Sequence, residues 1–576
     1  MSSNAKTFYG NKTVVSRFTR LAEAAEAVSS LSSEDIDVVI LPPDEGNDSE
    51  EESVENENIP AEVAGAVELH EGCVSEEESS DEENVYPPAK RSKVHNITWK
   101  KMETTKLSDN CKQVANLEES FPDLADKDPF SLFRHFFTMD MISMITNETN
   151  RYAKSKNNQT FVVTESEIVN FLGIIIISGY HSLPAEKLYW STMPSLIAPI
   201  FGQIMSRKRF LEIKKYFHLA NNDELGSSKT AKVDAIYNEL LKNCQQFGIF
   251  HTKLSIDESM VPYRGKYPIK QFIRNKPVRF GYKIWFMCGS DGYPYNFQIY
   301  KGRDSDSKRE PLGSKVVEEM ISFIKPEDAD KYVLHFDNFF SSYQLFDNLA
   351  HRDIRAIGTV RRNRTMKCPL AIQKKDERAK IDYRSDGNIL FVQWKDNSIV
   401  TVGTNFSSVT PVNKVSRWVK GRGKVSVDQP KLITEYNSGM GGVDLLDMQL
   451  ASYRPNLTSK KWWWPLFSNA LNLAIVAAFK IYKHTSPLTL EKQLSHLEFR
   501  IEVAECMSKF QLYTPRVRKG GPTASVPDYI RKDGINHHLI SSRQTRCKVC
   551  QKNTMLKCSK CDKALHKKIC SDIFHS

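Results

Sequence analysis

Between residues 128 and about 250 the apolar positions recur with helical period. Asp128-Pro129 stands before the run FSLFRHFF and reads as an N-cap followed by the first helical residue. Thr164 with Glu167 forms a candidate capping box ahead of IVNFLGIIIISGY. Ser206 is placed to cap RKRFLEIKKYFHL, whose Phe210, Ile213, Phe217 and Leu219 face a core while Arg207, Lys208, Lys214 and Lys215 stay out. Near Lys253 the period changes to that of strands. Leu254–Asp257, Tyr282–Cys288, Tyr295–Tyr300, Tyr332–Phe336 and Ile354–Val360 read as strands, with Ser290-Asp291-Gly292 a turn between two of them. The amphipathic segments SKVVEEMISFI and SSYQLFDNLAH lie between later strands, which makes this a mixed α/β region. From Arg361 to about Pro430 the chain is basic, with strand-like pieces ILFVQW and VTVGTNF, and reads as an insertion. Helical character returns after Met440. Leu466 to Phe479 is the longest apolar stretch, yet Asn469 and Asn472 interrupt it and Pro465 and Lys480 bound it. It falls short of the ~18 to 20 apolar residues of a membrane span and is expected to be a buried helix.

Charge divides the chain in two. Residues 1–89 carry 22 Asp and Glu against 4 Lys and Arg, a net of −18, and residues 90–576 carry 76 basic against 48 acidic residues, a net of +28. The acidic segment has few aromatics and is expected to be disordered. The basic remainder suits a polyanionic partner, because Lys and Arg release counterions from phosphates. Pro87–Lys93, PPAKRSK, is a candidate nuclear localisation signal. The opening residues MSSNAKTFYGNK lack the apolar core of a secretory signal, so a soluble intracellular protein without a membrane partner is expected.

Four aspartates occupy places where a carboxylate can be aimed. Asp257 follows the strand LSI, Asp337 closes the strand YVLHF, and Asp444 and Asp447 follow Gly441-Gly442 at a helix start, three residues apart on one face. Hard cations such as Mg²⁺ take carboxylate oxygens, and a pair of such ions clamps the attacking and leaving oxygens of a phosphoryl transfer. Beside the first acid lie Arg264, Lys266, Lys270, Arg274, Lys276, Arg279 and Lys283, interleaved with Tyr263, Tyr267, Phe272 and Phe280. The basic residues are candidates for DNA phosphates, and the aromatics for stacking on bases or for packing inward. Lys460-Lys461-Trp462-Trp463-Trp464 carries the same ambiguity, with at least one Trp in the core.

Five of the eleven cysteines fall in the last thirty residues. Cys547, Cys550, Cys558, Cys561, His566, Cys570 and His575 have the paired C-x-x-C spacing of structural Zn²⁺ sites. Seven ligands exceed one tetrahedral site and fall one short of two. Asp572 or water could supply the eighth, so one or two zinc ions are expected. Seven lysines between Lys548 and Lys568 make this tail basic, suiting DNA, although such modules also bind proteins.

Three blocks resemble the piggyBac transposase family: SIDESMVPYRGKYPIKQFIRNKPVRFGYKIW, HFDNFFSSYQLFDNL and EYNSGMGGVDLLDMQLASYR. They stand in the family's order and at similar separations, and MSRKRFLEIKKYFHLANN is similar to a segment upstream of the first block. The resemblance runs from about residue 128 to the C-terminus. It implies an RNase H-like catalytic core, with the metal-holding roles on Asp257, Asp337 and Asp444 and a further carboxylate at Asp447. It implies cut-and-paste transposition through DNA hairpin ends at TTAA targets, on double-stranded transposon ends and target DNA; a homodimer located in the nucleus is expected beside it. It also implies a C-terminal cysteine-rich domain with two zincs in a crossed arrangement that reads the transposon end. The rival expectation is a domesticated relative that binds DNA without cutting it.

The expected organisation is a multi-domain α/β chain. It comprises a disordered acidic tail (1–95), a linker (96–127) and a helical DNA-binding and dimerisation domain (128–252). The first part of the catalytic core (253–360), a basic insertion (361–430) and the second part of the core (431–455) follow. A second helical segment (456–512), a basic linker (513–545) and the zinc-binding domain (546–576) complete it.

Overall fold

The computed structural model describes residues 97–273, 276–302, 311–419, 423–486, 493–509, 531–532, 534 and 537–576. Ahead of these it gives the backbone of four strands, β1 (Lys6–Gly10), β2 (Thr13–Phe18), β3 (Ile36–Ile40) and β4 (Val67–Gly72), in one antiparallel sheet of order β1-β2-β4-β3. The acidic runs at 44–59 and 75–84, the basic cluster Pro87–Lys93 and the 513–530 part of the basic linker lie outside the described residues. The chain divides into two compact units, residues 1–186 with 207–512, and residues 187–206 with 513–576.

In the first unit, helices α1 (Pro129–Phe136), α2 (Met139–Ser155), α3 (Glu165–Tyr180), α4 (Arg207–Tyr216) and α5 (Ala231–Gln245) precede the sheet. The expected starts are found. Asp128 accepts from the amides of Phe130 and Ser131, both at 3.0 Å. Thr164 and Glu167 form the reciprocal capping box, and Arg209 of α4 pairs with Glu167 at 2.7 Å, tying α4 to the start of α3. Phe210, Ile213, Phe217 and Leu219 are buried, as the apolar stripe requires.

The sheet contains β5 (Lys253–Pro262), β6 (Lys270–Phe272), β7 (Phe280–Gly289), β8 (Pro294–Ile299), β9 (Val333–Phe336), β10 (Arg355–Thr359), β11 (Ile381–Ser385), β12 (Leu390–Lys395) and β13 (Ile399–Thr404). Its order is β11-β12-β13-β10-β9-β5-β7-β6, with β8 also paired to β7. β5, β7 and β8 form an antiparallel meander, whereas β5, β9 and β10 run parallel. Parallel neighbours need crossovers, and these contain α6 (Leu312–Met320) and α7 (Tyr343–His351). The segment expected as an insertion extends the same sheet. β13 pairs with β10, and Val392, Val402 and Val427 share one buried cluster with Val333 and Ile357. Beyond it stands a two-stranded ribbon, β14 (Val412–Val419) and β15 (Gly423–Pro430).

Helices α8 (Lys431–Gly439), α9 (Gly442–Ser452), α10 (Trp464–Thr485) and α11 (His496–Lys509) follow. α10 is long and apolar enough to cross a membrane, but 94% of its most apolar stretch is buried inside the fold. It is a core helix packed against α1, α5 and α11. Trp463 and Trp464 are both buried, and Trp462 stacks on Tyr267 with ring centroids 3.8 Å apart. Two neighbouring indoles can be buried because Trp463 precedes the helix and Trp464 begins it. In the second unit, β16 (Leu539–Arg546), β17 (Asn553–Cys558) and α12 (Ile569–His575) frame the cysteine-rich tail.

Candidate active site and zinc centres

The first acid sits mid-strand, not at the strand end its sequence suggested. β5 continues to Pro262 because β7 accompanies it all the way, from Leu254 opposite Gly289 to Pro262 opposite Gly281. β9 stops earlier. Ile256 is the Cα partner of Phe336, the last residue of β9, so Asp257 lies beside Asp337, the first residue beyond β9. Both carboxylates are braced by local amides: Asp257 accepts from Glu258 N at 2.7 Å and Asp337 from Phe339 N at 2.9 Å.

α9 brings Asp444 and Asp447 to the same place. A Cβ on Gly442 would overlap the Gly289 carbonyl and lie 2.5 Å from Ser255 Oγ, so glycine lets the start of α9 rest on β5 and β7. Ser255 Oγ also accepts from Val443 N at 3.2 Å. Asp444 is exposed in the first turn, and Asp447, one turn on, accepts a hydrogen bond from Ser259 Oγ of β5.

Burial raises three of these acids. Asp257 is pushed up to about 8 by burial and then by the neighbouring Glu258 charge. Burial also raises Asp337, and it lifts Asp447 to about 6 against the Ser259 hydrogen bond. Tyr436 of α8 is pushed up to about 12 by burial, with Asp337, Asp257 and Asp444 all adding to the shift. Among the described residues, Asp257, Asp337 and Asp444 do not close to within 4.8 Å of one another as a set, as expected of like charges held by rigid elements. Their all-oxygen donor set fits a hard divalent cation. Glu258, which sequence reasoning passed over, belongs to the acidic group. Its only sequence signal was its place next to Asp257.

The basic residues divide. Arg264, Lys266 and Arg279 are exposed, and Arg274 lies outside the described residues. Lys270 is buried, with its ammonium 5.3 Å from the centre of the Phe280 ring and its Nζ donating to Arg264 O at 3.4 Å. Lys283 lies 3.7 Å from the Trp285 ring centre and 3.7 Å from Glu258. Lys276 pairs with Glu258 at 3.3 Å, and although burial opposes its charge, Asp257, Glu258 and Asp444 together raise it. Lys276 and Lys283 thus sit with Glu258 of the acidic group, whereas Lys270 turns inward against an aromatic ring. The aromatics pack among themselves: Tyr263 stacks on Tyr282 and Phe272 meets Phe280, each pair 4.7 Å apart.

The tail contains two complete four-ligand clusters, each with its ligand atoms within 4.8 Å of one another: Cys547, Cys550, His566 and Cys570, and His537, Cys558, Cys561 and His575. The eighth candidate ligand is His537, in the place for which the sequence left Asp572 or water open. Leu539 pairs with Cys558 at the end of the β16–β17 hairpin, and this register carries His537 to the second knuckle. Its Nδ1 lies 3.4 Å from Cys558 Sγ and 3.5 Å from Cys561 Sγ, and His575 Nε2 lies 3.6 Å from Cys561 Sγ. Tetrahedral Zn²⁺ with its usual bond lengths separates S and N ligands by about 3.6 Å. The other ring nitrogens are oriented by carbonyls, His566 Nε2 on Asn553 O at 3.1 Å and His575 Nδ1 on Ser571 O at 2.8 Å. The clusters interleave along the chain, so each ties down the loops of the other. Burial works against the Cys547 thiolate, yet backbone amides of Cys550 and Val549 bring it down to about 6, ready for metal.

A family model described as Transposase IS4 matches residues 128–479. The chain is 35% identical over 504 residues to the human PiggyBac transposable element-derived protein 3, covering 85% of this chain and 83% of that protein. It is 30% identical over 535 residues to the human PiggyBac transposable element-derived protein 2, covering 89% of each. Its fold matches a chain from the structure of a piggyBac transposase synaptic complex with hairpin DNA, at a TM-score of 0.61 and 22% identity, over 76% of this chain and 98% of that one. The three acidic blocks, the family model and the length of the shared sequence agree: this chain belongs to the piggyBac-type transposase family.

Proposed function

We propose that the protein is a metal-dependent cut-and-paste DNA transposase with an RNase H-like core. The carrying observation is the side-by-side placement of Asp257 and Asp337 on adjacent parallel chain segments, with the start of α9, which bears Asp444, resting on β5 and β7 beside them. The strand order β8-β7-β5-β9-β10, an antiparallel meander followed by two parallel strands, supports the RNase H-like reading. Asp257, Asp337 and Asp444 would hold two Mg²⁺ ions. When bound there, divalent metal activates an attacking oxygen and neutralises charge on the scissile phosphate. Asp447, held by Ser259, keeps α9 in register with β5, and Lys276 balances the acidic group. Arg264, Lys266 and Arg279 remain free of the acidic group to meet DNA phosphates, and Zn²⁺ in the tail would shape a basic module for the transposon end.

From the family resemblance follow hairpin-ended intermediates, TTAA target sites and a homodimer on DNA, while the basic cluster Pro87–Lys93 would direct the protein to the nucleus. The test is excision in cells of a reporter flanked by the matching terminal repeats. Precise repair at TTAA that depends on Asp257 is the expected result. Terminal-repeat binding without excision by the wild-type chain would instead establish a domesticated DNA-binding protein.

A further inference from the structure

Outside the acidic site and the zinc centres, the described residues contain one more convergent group of metal-ligating side chains: His251, Asp291 and His484. His251 lies two residues before β5, Asp291 forms the turn between β7 and β8, and His484 lies in the last turn of α10. His251 Nε2 lies 3.2 Å from Asp291 Oδ1 and His484 Nε2 lies 3.1 Å from Oδ2. The imidazole rings are 5.1 Å apart and cross at 80°, so both aim their outer nitrogens at one region. Separations of this size are close to the edge of about 3.3 Å in a tetrahedron of Zn–N and Zn–O bonds. His251 Nδ1 sits 2.6 Å from the hydroxyl of fully buried Tyr295, which also accepts from Phe250 N at 3.1 Å. This holds the ring as the outer partner of a metal-bound histidine does. The side chain of His484 is 36% exposed, which leaves one side open for a fourth donor such as water.

We propose that His251, Asp291 and His484 form a third transition-metal site, for a divalent ion of the zinc class, that clasps the back of the catalytic helix. Two imidazoles and one carboxylate suit such an ion better than Mg²⁺ or Ca²⁺. The neighbouring Gly292, at φ +93°, packs directly on α9: a Cβ there would lie 3.1 Å from Leu446 N and 3.3 Å from Gly442 O. Fixing the Asp291 turn to the end of α10 therefore fixes the seat of the helix bearing Asp444 and Asp447. Lys480 is the cation nearest this group, and its Nζ bonds the Asp291 carbonyl oxygen. Both carboxylate oxygens face the imidazoles, Oδ1 also accepting from Tyr293 N at 2.8 Å, but the Lys480 charge opposes a dication. The site is thus weaker than the cysteine-rich centres and loses its ion first to a mild chelator.

The test is zinc stoichiometry and Co²⁺ spectroscopy on the full chain, with Asp257→Asn and Asp337→Asn introduced to silence the acidic site. His484→Gln keeps a hydrogen-bond donor near the Nε2 position but removes the ligand, and Asp291→Asn is the second variant. The background chain is expected to hold one more zinc than either variant, and its extra Co²⁺ to show ligand-field bands without thiolate charge transfer. Added zinc is expected to raise the melting temperature of the background chain and not of the variants. The one-ion difference is expected to persist when His537→Ala disables a tail centre, which separates this site from the tail. Equal zinc content and equal melting behaviour with zinc would overturn the proposal and leave a hydrogen-bonded clasp.

Discussion

Asp257 and Asp337 are register neighbours: Ile256 pairs with Phe336 across parallel β5 and β9, and each aspartate is the next residue along its chain. Such a pair cannot separate without breaking the centre of the sheet, so its geometry is set before any ligand arrives. Replacing Asp257, Asp337 or Asp444 singly by Asn is expected to lower excision on the order of 10³-fold or more, the loss of several kcal/mol of charge stabilisation. Binding to terminal-repeat DNA is expected to persist, since the exposed arginines and lysines remain. Excision assays beside gel-shift titrations check this, and wild-type excision by any one variant would remove that residue from the site. Asp447→Asn is expected to cost less, because Asn can still accept the Ser259 hydrogen bond that positions α9.

The raised Asp257 group has a consequence for stability. Its folded pKa, pushed up to about 8 by burial and the Glu258 charge, exceeds the unfolded value of about 3.9, so the folded state binds more protons between these limits. Its contribution to stability is full below the unfolded value and is lost as pH rises through about 8. Without added magnesium, the melting temperature is therefore expected to fall between pH 5 and pH 8 more steeply for the wild type than for Asp257→Asn. Magnesium is expected to flatten the wild-type profile. Parallel pH profiles for the two proteins, whatever the magnesium, would count against this account of the site.

Exposure sorts the basic residues into two kinds of outcome. Arg264→Ala, Lys266→Ala and Arg279→Ala are expected to weaken DNA binding across sequences and each to reduce the salt-dependence slope by about 1. Lys283→Ala is expected to destabilise the fold instead, since its ammonium lies against the Trp285 ring and near Glu258. Lys461→Ala belongs with Lys283. Its Nζ donates to the carbonyls of Lys214, Lys215 and Phe217 at 2.8, 2.9 and 3.1 Å, closing the end of α4. A loss of about 1–3 kcal/mol is expected, whereas exposed Lys460→Ala is close to neutral. Urea unfolding and salt-series binding distinguish the two groups. A Lys461→Ala protein that folds as well as the wild type but binds DNA poorly would reverse the assignment.

Local chemistry was readable in the sequence, while pairing across the chain was less so. The Asp128 cap, the Thr164–Glu167 box and the strands around Asp257 and Asp337 depend on residues a few positions apart, and all are found. The sequence put Asp257 at a strand end because nothing local revealed that β7 would escort β5 to Pro262. Lys270 and Lys283 looked like phosphate ligands because a basic run reads as a surface, and only the sheet shows which side chains turn inward. Segment 361–430 looked separate, and its junction with β10 is a pairing of Thr359 with Val402 that no periodicity announces.

His537 was missed for the same reason. It stands ten residues before the first cysteine, outside any C-x-x-C window, and only the hairpin register of Leu539 on Cys558 brings it to its cluster. This makes the requirement for it a sharp test of the interleaved zinc arrangement. Residues 531–576 are expected to bind two zinc ions and residues 543–576 only one, because the shorter piece keeps Cys547, Cys550, His566 and Cys570 but leaves Cys558, Cys561 and His575 a ligand short. In the full chain, His537→Ala is expected to release one zinc, and Cys547→Ser to weaken the other centre, since binding and folding are a single equilibrium in so small a module. Cobalt would show which centre survives: one with three thiolates and one imidazole gives stronger charge transfer than one with two of each. The two centres share the buried Leu565, so His537→Ala is expected to loosen the tail without emptying the first centre. Two tightly bound zincs in residues 543–576 would show that His537 is not a ligand.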